Sequence, residues 1–284
     1  MKPLTALISV FTMLAAVFSA YAQAPQVPDS IVFGGEIVRF DNDDLRERMD
    51  RELIAFTYTH STSTLMLKRS GKIFPVVEPI LRRMGMPDDL KYLMVIESNL
   101  DPQAVSPAGA AGLWQFMSVT AREYGLEVNT NVDERYNTEK ATEAACKYLR
   151  KAHDRMGDWM SVAASYNAGP TAISSRLESQ HADTALELWL NSETARYMFR
   201  ALAAKMLFEN PGAFGFNIPA GERYPYREPK EVFATSEPVP DLVKFAEEHG
   251  VTYAMLKKAN PWLRESSLKN STHKTYFITI PSND

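Results

Sequence analysis

The sequence predicts a mainly α-helical protein that ends in a small α+β module. Three observations carry this reading. Apolar residues recur at helical spacing through most of the stretch from Asp43 to Phe208. That texture then breaks at Pro211, Gly212, Gly215, Pro219, Gly221, Pro225 and Pro229, the composition of loops or a linker. The tail reads as strand, helix, helix and strand. A chain of 284 residues with 45% hydrophobic content can bury one or two real cores. The expected divisions are a leader at 1–22, an N-terminal arm at 23–42, a helical domain at 43–209, a linker at 210–230 and the module at 231–284.

The leader has the pattern of a signal peptide. Lys2 supplies a positive start, Leu4 to Phe18 is mostly apolar, and Ala20-Tyr21-Ala22 is a small-x-small cleavage site. The apolar run is too short to favour a membrane-spanning anchor. No cysteine follows the cut, which closes the lipoprotein route, so the expectation is an exported, periplasmic chain cut after Ala22. Cutting there removes one lysine and leaves 30 basic and 35 acidic residues, a net charge of −5. This balance gives no reason to expect nucleic acid or an anionic membrane surface as partner. Cys146 is the only cysteine and lies in the apolar pattern Ala141, Ala144, Ala145, Tyr148, where a buried, inert thiol is expected. There is no H-E-x-x-H, no C-x-x-C and no phosphate-binding glycine loop, and the histidines are scattered. No metal and no cofactor are expected.

Residues 23 to about 40 read as an extended arm. Helical periodicity begins at Asp43, with Leu45, Met49, Ile54 and Phe56 on the apolar face. Ser61 to Met84 reads as a longer helix with Leu65, Leu67, Ile73, Val76, Val77, Ile80 and Leu81 inward. Pro75 and Pro79 predict a break or bend within it, and Gly85 a stop.

The stretch Met86 to Met117 is the most informative. Pro87 suits a first helical position, and Asp88 and Asp89 suit the first turn. Leu90, Leu93, Met94 and Glu97 fall at i, i+3, i+4 and i+7 and share one face. A carboxylate closing an apolar stripe is costly to ionise, and Asn99, Asp101 and Pro102 end the helix at once, which places the negative end of its dipole beside Glu97. Both effects raise its pKa, and a glutamic acid kept protonated near neutrality is what a general acid requires. The competing reading is a glutamate at a frayed helix end that reaches solvent. Small residues follow from Ser106 to Gly112, where backbone can approach a ligand closely. A new amphipathic segment begins at Leu113 and is expected to continue as helix to Glu123, with Gly125 ending it.

Asn129 to Asn137 reads as a polar loop. Asp158 is a candidate N-cap for a helix from Trp159 to Tyr166, Gly169 a positive-φ cap and Pro170 the start of the next helix. An amphipathic helix runs from about Glu193 to Phe208. In the tail, strands are expected at 231–235 and 275–280, with helices around 240–249 and 253–259.

Glu97-Ser98, Asp101-Pro102, Ala104, Ser106, Gly109-Ala110, Gly112-Leu113 and Gln115 together resemble the signature of the soluble-lytic-transglycosylase, or goose-type lysozyme-like, family. Tyr166-Asn167-Ala168-Gly169 matches its second motif, and Glu193-Thr194-Ala195-Arg196-Tyr197 a third segment that lines the cleft in relatives. Taken alone, Tyr166-Asn167 could be a helix cap and Glu193 a first-turn acid. The tail is similar to a degenerate LysM module. It departs from that pattern where a G-D-T-L entry is usual and the chain reads Glu237-Pro238-Val239-Pro240-Asp241-Leu242, so glycan binding and a structural role both stay open for it. The whole arrangement is similar to the membrane-bound lytic murein transglycosylase D type.

The resemblance implies a lysozyme-like catalytic domain acting on peptidoglycan glycan strands, as a monomer, without a stable transmembrane anchor and with cell-wall or outer-membrane association in keeping. It implies cleavage of the β-1,4 bond between N-acetylmuramic acid and N-acetylglucosamine, with Glu97 as the single acid and base and a 1,6-anhydromuramic end as product. It further implies that Ser98, Ser106, Gln115, Tyr166, Asn167, Glu193 and Tyr197 contact the substrate. Ordinary glycosidases need two carboxylates, and this signature offers one. A hydrolase reading requires Asp88, Asp89 or Asp133 to reach the cleft. A non-catalytic wall-binding protein is the reading from another class, and the intact Glu97-Ser98 argues against it.

Overall fold

The computed structural model describes residues 24–282, so the expected leader and its cleavage site lie outside the described residues. The chain begins as a hairpin rather than an extended arm. Strands β1 (Ser30–Phe33) and β2 (Glu36–Arg39) pair antiparallel. Gly34 and Gly35 turn the chain at φ 65° and 90°, which a two-residue hairpin of this kind requires. Gly34 also lies so close to Trp159 that an added Cβ would sit 2.4 Å from the indole. Phe33, Val38 and Phe40 are buried by the hairpin, and this packing is what holds the arm.

Helix α1 (Asp43–Tyr58) starts at Asn42, whose side chain accepts from the Leu45 amide. Helix α2 (His60–Arg83) runs through both prolines without interruption. Pro75 and Pro79 are four residues apart on the solvent side, so the backbone bonds they remove lie away from the buried Ile73, Val77, Ile80 and Leu81. Leu65 and Ile54, expected inward, are 41% and 42% exposed, because neither fits the buried stripe of its helix.

A single 3₁₀ turn, Asp88–Leu90, precedes α3 (Lys91–Ser98). The helix is buried on almost every side, from Lys91 to Ile96, rather than along one stripe. Helix α4 (Ser118–Glu123) is short, since residues 113–117 form turns and bridges rather than the expected helix. Ala111 bridges both Val105 and Phe116, and Gly112 and Gln115 take φ of 77° and 49°, values that a continuing helix forbids.

Helices α5 (Thr138–Met156), α6 (Trp159–Ala168), α7 (Pro170–Gln180) and α8 (Ser192–Glu209) complete the helical part. Asn137, Asp158 and Asn191 cap α5, α6 and α8 with side-chain acceptors. Cys146 is buried in α5, and burial pushes its thiol up to about 11, the inert condition expected. α8 is the central element and packs against α1, α3 and α6. Ala201, Ala203 and Ala204 are fully buried there, and such small side chains allow neighbouring helices close approach.

The linker is strapped down. Phe214 and Phe216 are buried, the Tyr224 amide donates to the Lys68 carbonyl at 2.9 Å, and the backbone of Tyr224 lies against Gly71 of α2. The tail follows the expected order, with β3 (Glu231–Thr235), α9 (Leu242–Glu248), α10 (Tyr253–Ala259) and β4 (Tyr276–Ile280), the strands pairing antiparallel. Its core includes Leu242, Leu256, Trp262 and Ile278, but also Ala111, Val132 and Tyr136 from the helical part. The polar loop expected at 129–137 is therefore mostly buried, because the tail covers it. No helix among the described residues is long and apolar enough to cross a membrane.

Candidate active site

Glu97 sits on the last turn of α3, which ends abruptly. Asn99 and Leu100 take the left-handed conformation at φ 50° and 56°, uncommon for residues with side chains and more so for a fully buried leucine. Arg69 of α2 fastens this corner by donating to the Asn99 carbonyl at 3.0 Å and pairing with Asp101 at 3.3 Å.

The Glu97 carboxyl faces α8. Tyr197, buried on that helix, donates its hydroxyl to Glu97 Oε1 at 2.7 Å. Burial dominates the electrostatics and pushes the Glu97 pKa up to about 7. The Tyr197 bond and the Arg200 charge pull the other way, while Glu193 adds to the rise. Burial and the field of Glu97 also push the Tyr197 hydroxyl well above its ordinary range, so it stays a donor. The result is a carboxyl that changes protonation state near neutrality with a fixed partner.

The adjoining loop, residues 104–116, is built from its own polar groups. The Ser106 hydroxyl accepts from the Ala110 amide at 3.0 Å, which leaves its own hydrogen available to donate. Gln115 Nε2 donates to the carbonyls of Ala104 and Gly112 at 3.1 and 2.8 Å. Trp114, fully buried, anchors the loop through its indole N–H to Thr142 at 3.0 Å.

Tyr166, near the end of α6, donates to the Trp114 carbonyl at 2.7 Å. Its hydroxyl is raised by burial and then by the nearby Glu97 charge, which marks the two as neighbours. The tyrosine that holds the carboxyl is thus Tyr197, and Tyr166 instead ties the loop to α6. Asn167 spans two groups of α8, donating to Glu193 Oε1 at 3.2 Å and accepting from the Thr194 hydroxyl at 2.8 Å. Ser98 departs from its expected role. It is buried, and its hydroxyl bonds back to the Met94 carbonyl of its own helix at 3.1 Å, so it serves the helix end rather than a ligand.

A groove of about 580 Å³ runs past the end of α6, with Gln115, Tyr166 and Asn167 in its wall together with Tyr124, Tyr148 and the charged Glu123, Lys151 and Arg155, while Glu97, Ser106 and Tyr197 lie outside its lining. The three aspartates, one of which a hydrolase would need in the cleft, are otherwise engaged. Asp88 pairs with Lys91, Asp89 pairs with Lys205 at 2.6 Å and accepts from the Gly34 amide, and Asp133 grips Arg135 at 2.7 Å.

Three contributing residues were not singled out in the sequence, Arg200, Trp114 and Arg135, while Thr194 lay within the third matching segment without a role of its own. Arg200 lies three residues after Tyr197, on the same face of α8, and that spacing could have drawn it in. The others act through contacts between distant segments, for which no local pattern exists.

Residues 76–188 match the family model for the transglycosylase SLT domain. Residues 232–284 match that for the soluble lytic transglycosylase C-terminal LysM-like domain. The chain is 28% identical over 246 residues to membrane-bound lytic murein transglycosylase D of Escherichia coli (strain K12), covering 85% of this chain and 52% of that relative. A shorter similarity, 37% over 88 residues, covers 28% of this chain and 17% of membrane-bound lytic murein transglycosylase F of Alcanivorax borkumensis. The chain spans about half the length of the first curated relatives it matches. Among solved structures, the 70 kDa soluble lytic transglycosylase of Escherichia coli superposes with a TM-score of 0.43 at 16% identity, over 58% of this chain and 31% of that one. The lytic transglycosylase Slt of Pseudomonas aeruginosa, an inactive mutant, gives 0.40 at 22% identity, over 54% and 26%.

Proposed function

We propose that this chain, whose residues 76–188 match the transglycosylase SLT domain model, is a peptidoglycan lytic transglycosylase with Glu97 as its acid and base. The observation that carries the reading is the Glu97 carboxyl, half-buried, pushed up to about 7 and held by Tyr197. The reaction cleaves the β-1,4 bond between N-acetylmuramic acid and N-acetylglucosamine. Glu97 protonates the leaving oxygen as the bond to the anomeric carbon breaks. The substrate's own 6-hydroxyl then closes onto that carbon, and the Glu97 carboxylate takes its proton. No water is consumed, and the product is a 1,6-anhydromuramic end.

A group that gives and then recovers a proton works best with a pKa near the working pH, which is where burial holds Glu97. Ser106, with its hydrogen free to donate, and Gln115 orient the reacting sugar, and Tyr166 with Asn167 holds the groove wall. The proposed setting is the periplasm, after cleavage of the leader behind Ala22, with peptidoglycan strands as the partner and the divisions at 43–209 and 231–284 as the working units.

Mass spectrometry of muropeptides released from purified peptidoglycan by residues 23–284, alongside Glu97→Gln, tests this. Products one water lighter than hydrolysed fragments, absent with the variant, are the expected result. Hydrated ends would replace this reading with a hydrolase. Binding without turnover would leave a glycan clamp.

A further inference from the structure

The C-terminal module does more than follow the helical domain, because the two share backbone pairing and a core. Val132 bridges Leu263 in antiparallel fashion, the Asp133 amide donates to the Trp262 carbonyl at 2.9 Å, and the Arg264 amide donates to the Asn131 carbonyl at 2.9 Å. Asn131 is gripped three times more, donating to the Ser267 carbonyl at 2.7 Å and the Glu265 carboxylate at 3.2 Å and accepting from the Lys269 amide at 2.9 Å. Lys274 of the module pairs with Glu127 at 2.8 Å and with the buried Glu134 at 3.0 Å. Tyr276 adds a bond to the same Glu127 at 2.8 Å.

This gripped segment, 127–136, meets the loop at 104–116 chiefly through Arg135. Arg135 is buried, and Asp133 holds its guanidinium by two bonds, at 2.9 and 2.7 Å. Its remaining terminal nitrogen donates to the carbonyls of Gly109 and Phe116, at 2.8 and 3.0 Å. Those carbonyls stand at the tip and the end of the loop that carries Ser106 and Gln115. Gly112 of the loop lies against the Arg135 backbone so closely that an added Cβ would sit 2.0 Å from its carbonyl oxygen. Only a planar, fork-shaped cation can face a carboxylate on one side and two backbone oxygens on another.

We infer that the C-terminal module is a positioning element of the cleft, fixing the 127–136 segment so that Arg135 holds the loop bearing Ser106 and Gln115. Arg135 acts through that loop and is a positioning residue. The kinetic part of this inference rests on the proposed lytic reaction, whereas the mechanical part does not. The module's departure from the usual LysM entry, at Glu237 to Leu242, accords with a tail whose retained task is docking.

The test uses residues 23–284 and the variants Arg135→Met, Arg135→Lys and Lys274→Met, with Val243→Ala on the module's outer face as control. Hydrogen exchange read by mass spectrometry requires no turnover. Lys274→Met and both Arg135 variants are expected to speed exchange of the amides in 104–116 by about tenfold, with α7 unchanged. In turnover of soluble glycan strands, Arg135→Met lowers kcat by about 10- to 100-fold while KM moves less than about twofold, since the loop bears on the reacting sugar and the rest of the groove still binds the chain. The alkaline fall in rate stays near pH 7, because the Glu97–Tyr197 pair is untouched. Val243→Ala leaves exchange and rate at the parent's values. If Arg135→Met fails to fold, Arg135→Lys and Lys274→Met decide the matter. Folded variants with the parent's loop exchange and kcat would overturn the inference. A parent protein that forms no anhydro ends would sink the proposed reaction instead, and the exchange data would still decide the coupling.

Discussion

Replacing Glu97 by glutamine separates chemistry from stability. The native carboxyl titrates near 7 against an ordinary 4.5, because burial disfavours its charge. A raised carboxyl pKa stabilises the fold fully below about pH 4.5, and that contribution is lost as pH rises through about 7. The interval corresponds to roughly 3 kcal/mol at about 1.4 kcal/mol per pH unit. Glutamine keeps the acceptor for Tyr197 and never ionises, so it escapes this cost. Its amide nitrogen is then poorly solvated, which offsets about 1 kcal/mol. Urea unfolding should therefore show Glu97→Gln about 1 kcal/mol less stable than the parent near pH 4. The difference should reverse through the range from about pH 5 to 7 and level at about 2 kcal/mol in the variant's favour above pH 8. Turnover moves the opposite way, with a loss toward the upper end of about 10²–10⁴-fold at every pH. A constant stability difference from acid to alkaline pH would refute the argument, since the Glu97 charge would then carry no burial cost.

Further predictions rest on single contacts. In the parent, kcat/KM should fall as pH rises through about 7, because the protonated acid begins the reaction. Tyr197→Phe removes the bond that favours the ionised carboxylate, so this fall should move upward by about one pH unit in a pH–rate profile. Gly112→Ala puts a Cβ on a residue at φ 77° and against the Arg135 carbonyl. A stability loss above about 2 kcal/mol is expected by urea unfolding, with cleft activity lost alongside. Asp89→Ala strips the chief partner from Lys205, which is 11% exposed, and leaves the Gly34 amide unpaired. About 3 kcal/mol should be lost in the same measurement, partly relieved by Glu209.

Much of the site was legible in the chain. Glu97 closing an apolar helix was read from residue type and spacing, which are local properties, whereas Ser106, Gln115 and Tyr166-Asn167 became candidates only through the resemblance of their motifs to the soluble-lytic-transglycosylase signature. Residue type and spacing also carried the cap at Asp158 and the tail's order of strands and helices. Ser98 was carried along by its place beside Glu97, yet α3 is buried on nearly every side, so adjacency in sequence did not mean adjacency to the groove. Pro75 and Pro79 predicted a break or bend, and no break followed, because the cost of a proline depends on which side of the helix meets solvent.

Residue type and periodicity by themselves determined most of the helical segments, the cap at Asp158 and which carboxyl stands at an apolar helix end, but not that 113–117 turns instead of continuing as helix. The protonation state of that carboxyl was decided by tertiary structure, since its burial and its bond to Tyr197 join residues 100 positions apart. Tertiary structure likewise turned Asn129 to Asn137 from a polar loop into a buried joint, by laying the tail across it. Helix formation is a matter of neighbours along the chain, whereas desolvation depends on everything that packs around a group.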